Sequence, residues 1–566
     1  MYGSTDEPSN YRPISLTSIF RKTLERCIQY NLQTDGPSLD IAQGGFRESR
    51  GALDQALCLA EICHILRSHY HSKPVLAFLD IKSAYDTVDR NYVWKVLQHC
   101  ISPPLLGLLR NLFDKVQIEV LVSNATSRRF HPKTGVLQES ILSFYLYSVY
   151  INQLPAYLRP QTIKEDTSPL QLARLLSCLL YADNVVLMAN SSTMVDLLQK
   201  CKEHSMQMGY RHNPSKCVAL DNQPKTIEYA IYDQVIPQAT TFNYLGIPFK
   251  PGGHLYPEKL VQNNILKAMS TMNALSSIGV NPSGFSKLLC SRFYAQIVRP
   301  QMEYGIAINC FNHTQLKTLE EAQNKCIRKI YGASGKTSTK VMLHLAKLPT
   351  MKERIAILQA QFLFRSLSLP EDTLLYLLMP HIQYTRGHQW YRVSKTALWR
   401  LMPPTIADLD ARGFRAIKKK FLHSNLEKLI QSKNSKLLSS CRPTITLDPI
   451  LWLPMTHEER SRCLRWRLGW LPGGAPKPCP RHPSNNLSRR HAISCLNTHR
   501  RLCISETIAD PISFLLSMLP TRAFVPSSIA LSWSWRWPVI CSILHELDQL
   551  QHYTTIPCKT PRPKTN

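Results

Sequence analysis

Two short segments of the chain each end an apolar run in an aspartate. They are Phe78-Leu-Asp-Ile-Lys-Ser-Ala-Tyr-Asp86 and, about one hundred residues later, Leu180-Tyr-Ala-Asp-Asn-Val-Val-Leu187. Two carboxylates from distant strands suit an in-line displacement at phosphorus, where two divalent ions roughly 3.5–4 Å apart stabilise the attacking and leaving oxygens. Mg²⁺ prefers oxygen ligands and takes only one or two carboxylates beside substrate phosphates. Asp80 and Asp183 are therefore candidate ligands of Mg²⁺ or Mn²⁺, with Asn184 beside them.

The apolar pattern predicts the elements that position these aspartates. Residues 75–79 form a short apolar run after a proline, which predicts a buried strand ending at Asp80. Residues 175–181 and 185–188 are predicted to form the arms of a hairpin with Asp183 at its tip. Alternatives stay open, because Asp and Asn also suit an ordinary tight turn. Asp80 could also cap the helix predicted after residue 88, although Asp86 or Thr87 is better placed for that role.

These motifs and several others, in order along residues 11–250, resemble the reverse transcriptases of non-LTR (LINE-like) retrotransposons. The other segments are Tyr11-Arg-Pro-Ile-Ser-Leu16, Gln43-Gly-Gly-Phe-Arg-Glu-Ser-Arg50 with Leu53-Asp-Gln55, Gly135-Val-Leu-Gln-Glu-Ser-Ile-Leu-Ser143 with Tyr150-Ile-Asn152, Asn213-Pro-Ser-Lys-Cys217 and Tyr244-Leu-Gly-Ile-Pro248. The resemblance implies an α+β right-hand polymerase, whose fingers and palm combine an antiparallel sheet with helices. A helical thumb and a small C-terminal zinc-knuckle region are expected to follow.

The resemblance also implies roles for single residues around the aspartates. Tyr85 would close the nucleotide pocket against a ribose 2′-hydroxyl, which makes the monomer a deoxynucleotide; the alternative is packing beside the next helix. Gln138 would line the nucleotide site, and Lys216 would bring a cation near the triphosphate. Arg47 and Arg50 offer planar donors for phosphates of the template or the triphosphate, unless they are ordinary surface charges; Arg12 is a weaker candidate of the same kind.

Four positions depart from the family pattern. Asn184 replaces the second aspartate of Tyr-Ala-Asp-Asp, which removes one formal charge from the metal site. Leu137 stands for a proline, Glu139 for a glycine and Phe144 for another proline. Glycine at such a position permits torsions that side chains resist. The degenerate motifs predict an impaired polymerase.

Composition agrees with a nucleic-acid protein of several modules. The chain has 566 residues, 68 Lys and Arg against 39 Asp and Glu, a formal charge of +29 and a pI of about 9.6. Such an excess favours a polyanionic partner through counterion release; the resemblance makes that partner an RNA template and a DNA primer, with deoxynucleoside triphosphates as substrates. No signal peptide and no bilayer-length apolar run is visible, so a nuclear or cytoplasmic location without a membrane is expected. The 17 cysteines are expected to be mostly free thiols, with some metal ligands.

Periodicity and motif position divide the chain into five predicted parts. These are fingers and palm (1–250), a helical thumb (251–340), a helical basic connector (341–450), a zinc knuckle (451–505) and a C-terminal tail (506–566). The first family segment begins at Tyr11, which predicts an N-terminally truncated copy. The tail contains tryptophans within residues 532–537 that either complete a core or stack on bases.

The predicted knuckle has the pattern C-x2-H-x8-H-x3-C. Its members are Cys479, His482, His491 and Cys495. Thiolate and imidazole are the preferred donors of a closed tetrahedral zinc site, and the spacing at each end suits one ion. His499 and Cys503 are competing ligands, and histidines on a basic surface are the alternative to any metal.

Three hypotheses about function follow. The first is an RNA-directed DNA polymerase that adds deoxynucleotides to a primer 3′-hydroxyl by two-metal catalysis, with impaired activity. The second is a catalytically dead retroelement remnant that only binds nucleic acid. The third, a structural interaction protein without a nucleic-acid partner, is disfavoured by the charge and predicts binding without salt dependence.

Overall fold

A computed structural model describes residues 14–122, 124–160, 168–222, 227–335, 337–403, 409–432, 435–522 and 527–552. The chain divides into two compact units. Unit 1 comprises Met1–Leu260, Gly305–Cys310 and Gln359–Lys395, and unit 2 comprises Val261–Tyr304, Phe311–Leu358 and Thr396–Asn566. Tyr11, Arg12 and Pro13 of the first family segment lie outside the described residues. No helix in the described ranges is both long and apolar enough to cross a bilayer.

Unit 1 is built on a four-stranded antiparallel sheet with helices around it. Its helices before residue 209 are α1 (Ile19–Asp35), α2 (Ala52–Ser68), α3 (Arg90–Leu97), α4 (Pro103–Asp114), α5 (Ser143–Ile151), α6 (Gln153–Leu158), α7 (Pro169–Leu175) and α8 (Ser191–Met208). Its strands are β1 (Val75–Asp80), β2 (Leu121–Val122), β3 (Ala125–Thr126), β4 (Cys178–Tyr181), β5 (Asn184–Ala189), β6 (Val218–Leu220), β7 (Ala230–Ile231), β8 (Gln234–Val235), β9 (Phe242–Tyr244), β10 (Ile247–Lys250) and β11 (His254–Leu255).

The central sheet has the strand order β4-β5-β1-β6, and every neighbouring pair is antiparallel. Five residues of β1 are buried, as expected of a central strand whose two faces are both covered. A second sheet, β11-β10-β9, packs against the first through Phe78, whose ring stacks on Phe242 at 4.4 Å between centroids. The predicted antiparallel sheet with helices is confirmed.

Two local predictions need correction. The first hairpin arm begins at Cys178 and not at Leu175, because residues up to Leu175 form α7 behind the N-cap Ser168. The helix after the first motif is capped by Asp89, whose carboxylate accepts from Asn91 N at 2.9 Å, and not by Asp86 or Thr87.

Unit 2 is almost entirely helical. The chain passes between the units within α9 (Pro257–Ser277) and α14 (Met351–Ser366), while α15 (Leu374–Ile382) and α16 (Gln389–Val393) belong to unit 1. The remaining elements are α10 (Lys287–Phe293), α11 (Arg299–Glu303), α12 (His313–Tyr331), α13 (Lys340–Leu345), α17 (Ala411–Gln431), α18 (Lys436–Ser439), α19 (His457–Leu468), β12 (Pro478–Cys479), β13 (His482–Asn486), α20 (Arg489–Cys495), α21 (Thr498–Leu502), α22 (Pro511–Ser517) and α23 (Ser527–His552). Met272, Ile327, Trp466 and Leu544 are among the buried residues of its core.

Candidate active site and candidate metal centre

The carboxyl end of β1 and the β4–β5 turn bring the predicted acidic residues together. In the antiparallel register of β1 and β5, Asp80 lies directly opposite Asn184. Tyr181 pairs with Asn184 across β4 and β5, so the turn consists of Ala182 and Asp183 alone. Ala182 takes a left-handed φ of 58°, as the first residue of such a two-residue hairpin turn does. Asp183 is thus at the tip, one residue from the position opposite Asp80.

The side chains at this end of the sheet are linked by polar contacts. Asn184 Nδ2 donates to Asp183 Oδ1 at 3.2 Å and to the Tyr181 carbonyl at 3.5 Å. Lys216 Nζ lies 3.7 Å from Asp80 Oδ2, and the Asn213 backbone N–H donates to the Asp80 carbonyl at 2.8 Å. Lys216 therefore neighbours the first aspartate, while the Asn184 amide presents a donor to the second.

The segment after α1 fixes the turn by close backbone packing. Gly44 N donates to Leu180 O at 2.9 Å, and the buried Gln55 Nε2 donates to the same carbonyl at 3.1 Å. A Cβ on Gly45 would overlap the backbone nitrogen of Ala182. The glycine at position 45 is therefore what lets this segment lie against the Asp183 turn.

An aromatic wall borders the acidic residues. The rings of Tyr85 and Tyr147 stack at 5.3 Å, and Tyr85 meets Phe144 edge-on at 5.9 Å. Phe144, one of the departures from the family pattern, also stacks on Phe46 at 4.3 Å. The pKa of Tyr85 is raised, first by burial and then by the negative charges of Asp183 and Glu139. Tyr85 thus combines core packing with a position near the carboxylates.

The loop that follows residue 134 packs against the backbone of Tyr85 and Asp86, a few residues after Asp80. Gly135, at φ 85°, has no room for a Cβ beside the backbone of Tyr85 and Asp86. Val136 N donates to Tyr85 O at 2.8 Å. Arg90 Nη1 donates to the Gly135 carbonyl at 3.0 Å. These bonds hold in place the start of the loop that carries Gln138, which is predicted to line the nucleotide site.

Glu139 takes a backbone conformation that favours glycine. Its φ is 71°, in the left-handed region, and its side chain is exposed. Leu137 is buried, and the half-buried Gln138 accepts a bond from Ser15 N through its backbone carbonyl at 3.3 Å. The backbone at Glu139 is therefore strained.

The predicted phosphate-binding arginines are engaged with another carboxylate. Arg47 Nη2 lies 2.9 Å and Arg50 Nη2 lies 2.6 Å from Asp372 Oδ2. Asp372 stands in the turn before α15, also within unit 1. Neither arginine is an ordinary solvated surface charge, since their side chains are only 13% and 11% exposed.

The predicted zinc ligands converge in unit 2. One donor atom from each of Cys479, His482, His491 and Cys495 lies within 4.8 Å of the others. The two sulfurs are 3.8 Å apart, and Cys479 Sγ is 3.9 Å from His482 Nδ1. Two thiolates about 2.3 Å from a tetrahedral Zn²⁺ would be separated by about 3.8 Å. The donor set therefore fits zinc.

Other observations distinguish among the candidate zinc ligands. His491 Nε2 is buried without a partner in the described part of the chain, as expected of an unfilled ligand atom. His499, the competing histidine, donates from Nε2 to the Ile508 carbonyl at 2.8 Å instead, and Cys503 is exposed. The hairpin β12–β13 and α20 supply the four converging residues.

The tryptophan cluster in α23 has two environments. Trp533 and Trp537 pack against the core of unit 2. Trp535 is 42% exposed, and the guanidinium of Arg536 lies 5.1 Å from its ring centroid. The core alternative therefore holds for two of the three rings.

Part of the chain matches a known protein family. The sequence model of the family "Reverse transcriptase (RNA-dependent DNA polymerase)" matches residues 4–249. Those residues form a reverse transcriptase domain. The reverse transcriptase domain is of the non-LTR retrotransposon type, in agreement with the relatives that the chain matches.

Two relatives illustrate the similarity of this chain to known proteins. A probable RNA-directed DNA polymerase from transposon BS of Drosophila melanogaster is 26% identical over 348 residues, which cover 57% of this chain and 36% of the relative. A retrovirus-related Pol polyprotein from the type-1 retrotransposable element R2 of Popillia japonica is 26% identical over 272 residues, or 45% of this chain and 37% of the relative. The chain thus spans little more than a third of the length of either.

A solved telomerase from Candida tropicalis, in complex with a fragment of telomeric RNA, is also similar. It is 11% identical, the alignment covers 67% of this chain and 57% of the telomerase chain, and the TM-score is 0.30. A score this low establishes no common fold by itself.

Two residues that the sequence motifs did not indicate hold the segments around the candidate active site in place. Glu25 is fully buried in α1, and its carboxylate accepts from Arg21 Nε at 2.7 Å, from Ser140 Oγ at 2.9 Å and from Ile141 N at 2.8 Å. Asp372 is the other. The i,i+4 spacing of Arg21 and Glu25 gives a local signal, but nothing local connects Glu25 to Ser140.

Proposed function

We propose that the chain is an RNA-directed DNA polymerase of non-LTR retrotransposon origin with weakened catalysis. It would add deoxynucleotides to a primer 3′-hydroxyl on an RNA template. The observation that carries the proposal is the register of β1 and β5, in which Asp80 pairs with Asn184 and Asp183 occupies the adjoining turn. Two carboxylates at one end of a sheet are the minimum that nucleotidyl transfer needs.

The residues around the acid pair have roles that follow from their contacts. Asp80 and Asp183 would hold Mg²⁺ or Mn²⁺, which supplies charge neutralisation for the phosphates when bound. Tyr85, fixed between Tyr147 and Phe144, would shape the sugar side of the pocket and favour a deoxynucleotide. Lys216, next to Asp80, would orient the triphosphate. Gln138 would line the nucleotide site.

Asn184 is the expected cause of weakness. Its amide contributes no formal charge, and its Nδ2 donates to Asp183 Oδ1. A carboxylate oxygen that accepts this bond has less capacity to coordinate a cation. Asn184→Asp would remove the donor and add a carboxylate directly opposite Asp80.

A second candidate function is a remnant that binds nucleic acid without catalysis. The Asn184–Asp183 bond and the strained Glu139 favour it, since both alter the site while the fold persists. The formal charge of +29 supports binding of RNA or DNA in either case. Nucleic acid and deoxynucleoside triphosphates as substrates make a nuclear or cytoplasmic location the expected one.

The zinc cluster belongs to the same proposal. Cys479, His482, His491 and Cys495 would hold one Zn²⁺ and thereby order the β12–β13 hairpin against α20. Five arginines flank these ligands in sequence. They are Arg481, Arg489, Arg490, Arg500 and Arg501. Three of them form ion pairs with acidic side chains, and Arg490 and Arg500 are exposed, so they are the expected phosphate contacts.

Primer extension on an RNA template tests the function. The full chain, Asp80→Ala, Asn184→Asp and the control Asp196→Ala would be compared with Mg²⁺ and then Mn²⁺. Asp196 is an exposed carboxylate of α8, outside the site. We expect extension that disappears in Asp80→Ala, rises in Asn184→Asp and is unchanged in the control. No extension by any variant, with salt-sensitive RNA binding retained, would establish the remnant instead.

A further inference from the structure

Two guanidinium groups of unit 1 converge on a single carboxylate oxygen. Arg47 Nη2 and Arg50 Nη2 both donate to Asp372 Oδ2, at 2.9 and 2.6 Å. Arg50 Nη2 also donates to the backbone carbonyl of Asp372 at 2.9 Å. The three residues form what we call the arginine clamp, with Asp372 as its present occupant.

The far sides of both guanidinium groups are held by the backbone. Arg47 Nη1 donates to the carbonyls of Asp40 and Gln43 at 3.0 and 3.3 Å, and Arg50 Nη1 donates to that of Glu48 at 3.2 Å. The two Nη2 groups therefore keep their direction whatever anion lies between them. Such a preorganised pair of planar donors matches a phosphate.

The clamp needs an anion. Burial lowers the pKa of Arg47, and the positive charge of Arg50 lowers it further. The pKa of Asp372 is lowered although burial opposes this, because the bond from Arg50 and both positive charges outweigh burial. Two half-buried cations side by side are unfavourable without a negative partner.

The carboxylate of Asp372 can separate from the two arginines of the clamp. Asp372 is 61% exposed, so its carboxylate returns to water at small cost. The segment that carries it has other anchors. Arg365 binds the buried Asp54 through both terminal nitrogens, and Glu61 accepts from Trp390 N at 2.7 Å. Loss of Asp372 from the clamp therefore does not release residues 359–395 of unit 1.

We propose that Asp372 positions Arg47 and Arg50 by standing in for a terminal phosphate, and that the clamp exchanges this carboxylate for the triphosphate of a nucleotide. The clamp brings two positive charges to one point. A terminal phosphate with a charge near −2 matches this better than a phosphodiester, which carries one charge. The inference rests on the proposed polymerase function for the identity of the nucleotide, but not for the exchange itself.

The experiment uses inorganic tripolyphosphate as a probe that needs no catalysis. Its affinity for the full chain would be measured calorimetrically for wild type, Asp372→Asn, Asp372→Glu and the control Glu371→Gln. Glu371 is the neighbouring exposed carboxylate, and it accepts a hydrogen bond from the Tyr376 hydroxyl at 3.4 Å. Asp372→Asn keeps the shape and removes the competing charge, so we expect its Kd to fall about fivefold, the equivalent of one exposed ion pair. Asp372→Glu should resemble wild type, and Glu371→Gln should change nothing.

A kinetic measurement separates positioning from mere structure. In primer extension, Asp372→Asn should lower KM for the deoxynucleotide and leave kcat unchanged. Unchanged or weaker tripolyphosphate binding by Asp372→Asn, or an equal gain in Glu371→Gln, would overturn the inference. If Asp372→Asn binds an RNA oligonucleotide more tightly than wild type but binds tripolyphosphate no better, the clamp belongs to phosphates of the template backbone. That result would overturn the assignment to a triphosphate. If no variant extends a primer but the tripolyphosphate results hold, the exchange stands and the polymerase function fails.

Discussion

Replacing Glu139 by glycine should make unit 1 more stable. An L-residue in the left-handed region costs about 1–2 kcal/mol, and the φ of Glu139 is 71°. Glycine relieves this cost but gains about 0.5–1 kcal/mol of conformational freedom in the unfolded chain, which opposes folding. The side chain is exposed, so little packing is lost. The net expectation is a gain of about 0.5–1 kcal/mol.

Two further variants separate backbone strain from charge. Glu139→Gln removes the negative charge that acts on Tyr85 but keeps the strained backbone, so its stability should be near that of wild type. Glu48→Gly makes the same chemical change at an exposed loop residue outside the left-handed region. It should destabilise by about 0.5–1 kcal/mol through chain freedom alone.

Urea unfolding followed by circular dichroism and intrinsic fluorescence is the assay. A gain of this size raises the midpoint of the unit 1 transition by roughly 0.3 M when the slope is a few kcal/mol per molar. If Glu139→Gly lowers the midpoint as Glu48→Gly does, the left-handed conformation at residue 139 carries no strain and the reasoning is wrong. An equal gain in Glu139→Gln would instead assign the effect to charge.

Four other outcomes are expected. Zinc should bind at one equivalent per chain and raise the melting temperature of unit 2, while Cys479→Ser should lose that equivalent in metal analysis and in a chelator-sensitive melt. Gly45→Ala should lower the unfolding midpoint and weaken nucleotide binding, since its methyl group would overlap the Ala182 backbone. Glu25→Ala should cost about 3–5 kcal/mol of unfolding free energy, because it leaves Arg21 Nε and the buried Ser140 hydroxyl without the carboxylate that accepts from them. Burial lowers the pKa of His212 to about 3, below its value in the unfolded chain. The stability that the neutral imidazole contributes is therefore complete above about pH 6.5 and is lost as the pH falls from 6.5 toward 3. His212→Gln should flatten the decline of the unfolding free energy over that range.

Much of the palm sheet could be predicted from the sequence. The strand that ends at Asp80 follows from an apolar run after a proline, and the hairpin with Asp183 at its tip follows from two such runs around polar residues. Both are present. The convergence of the four Cys and His residues was predicted from spacing, because local spacing largely fixes which ligands of a small knuckle meet.

Other features lack a local signal. An unbroken apolar run does not distinguish a helix end from a strand, which is why Leu175 belongs to α7 while the strand starts at Cys178. Arg50 and Asp372 are 322 positions apart in the chain, and Ile141 and Glu25 are 116 apart. Pairings of this range depend on the assembled fold, so the motif indicated the arginines but not their partner. The five predicted domain boundaries stay predictions.

The backbone register and the metal-coordinating atoms of the proposed acidic site have separate physical origins, so a change in the coordinating atoms need not disturb the fold. The register of β1 with β5 depends on backbone bonds and on the buried strand residues, and Asn184 takes its place in that ladder as an aspartate would. What asparagine changes is one atom, an N–H donor where a second carboxylate oxygen would accept or coordinate. Asn184→Asp should therefore raise the metal affinity without any change in unfolding free energy beyond about 0.5 kcal/mol. If Asn184→Asp instead disturbs the sheet, the site and the fold are coupled at this residue, and a change in activity of this variant cannot be assigned to charge alone.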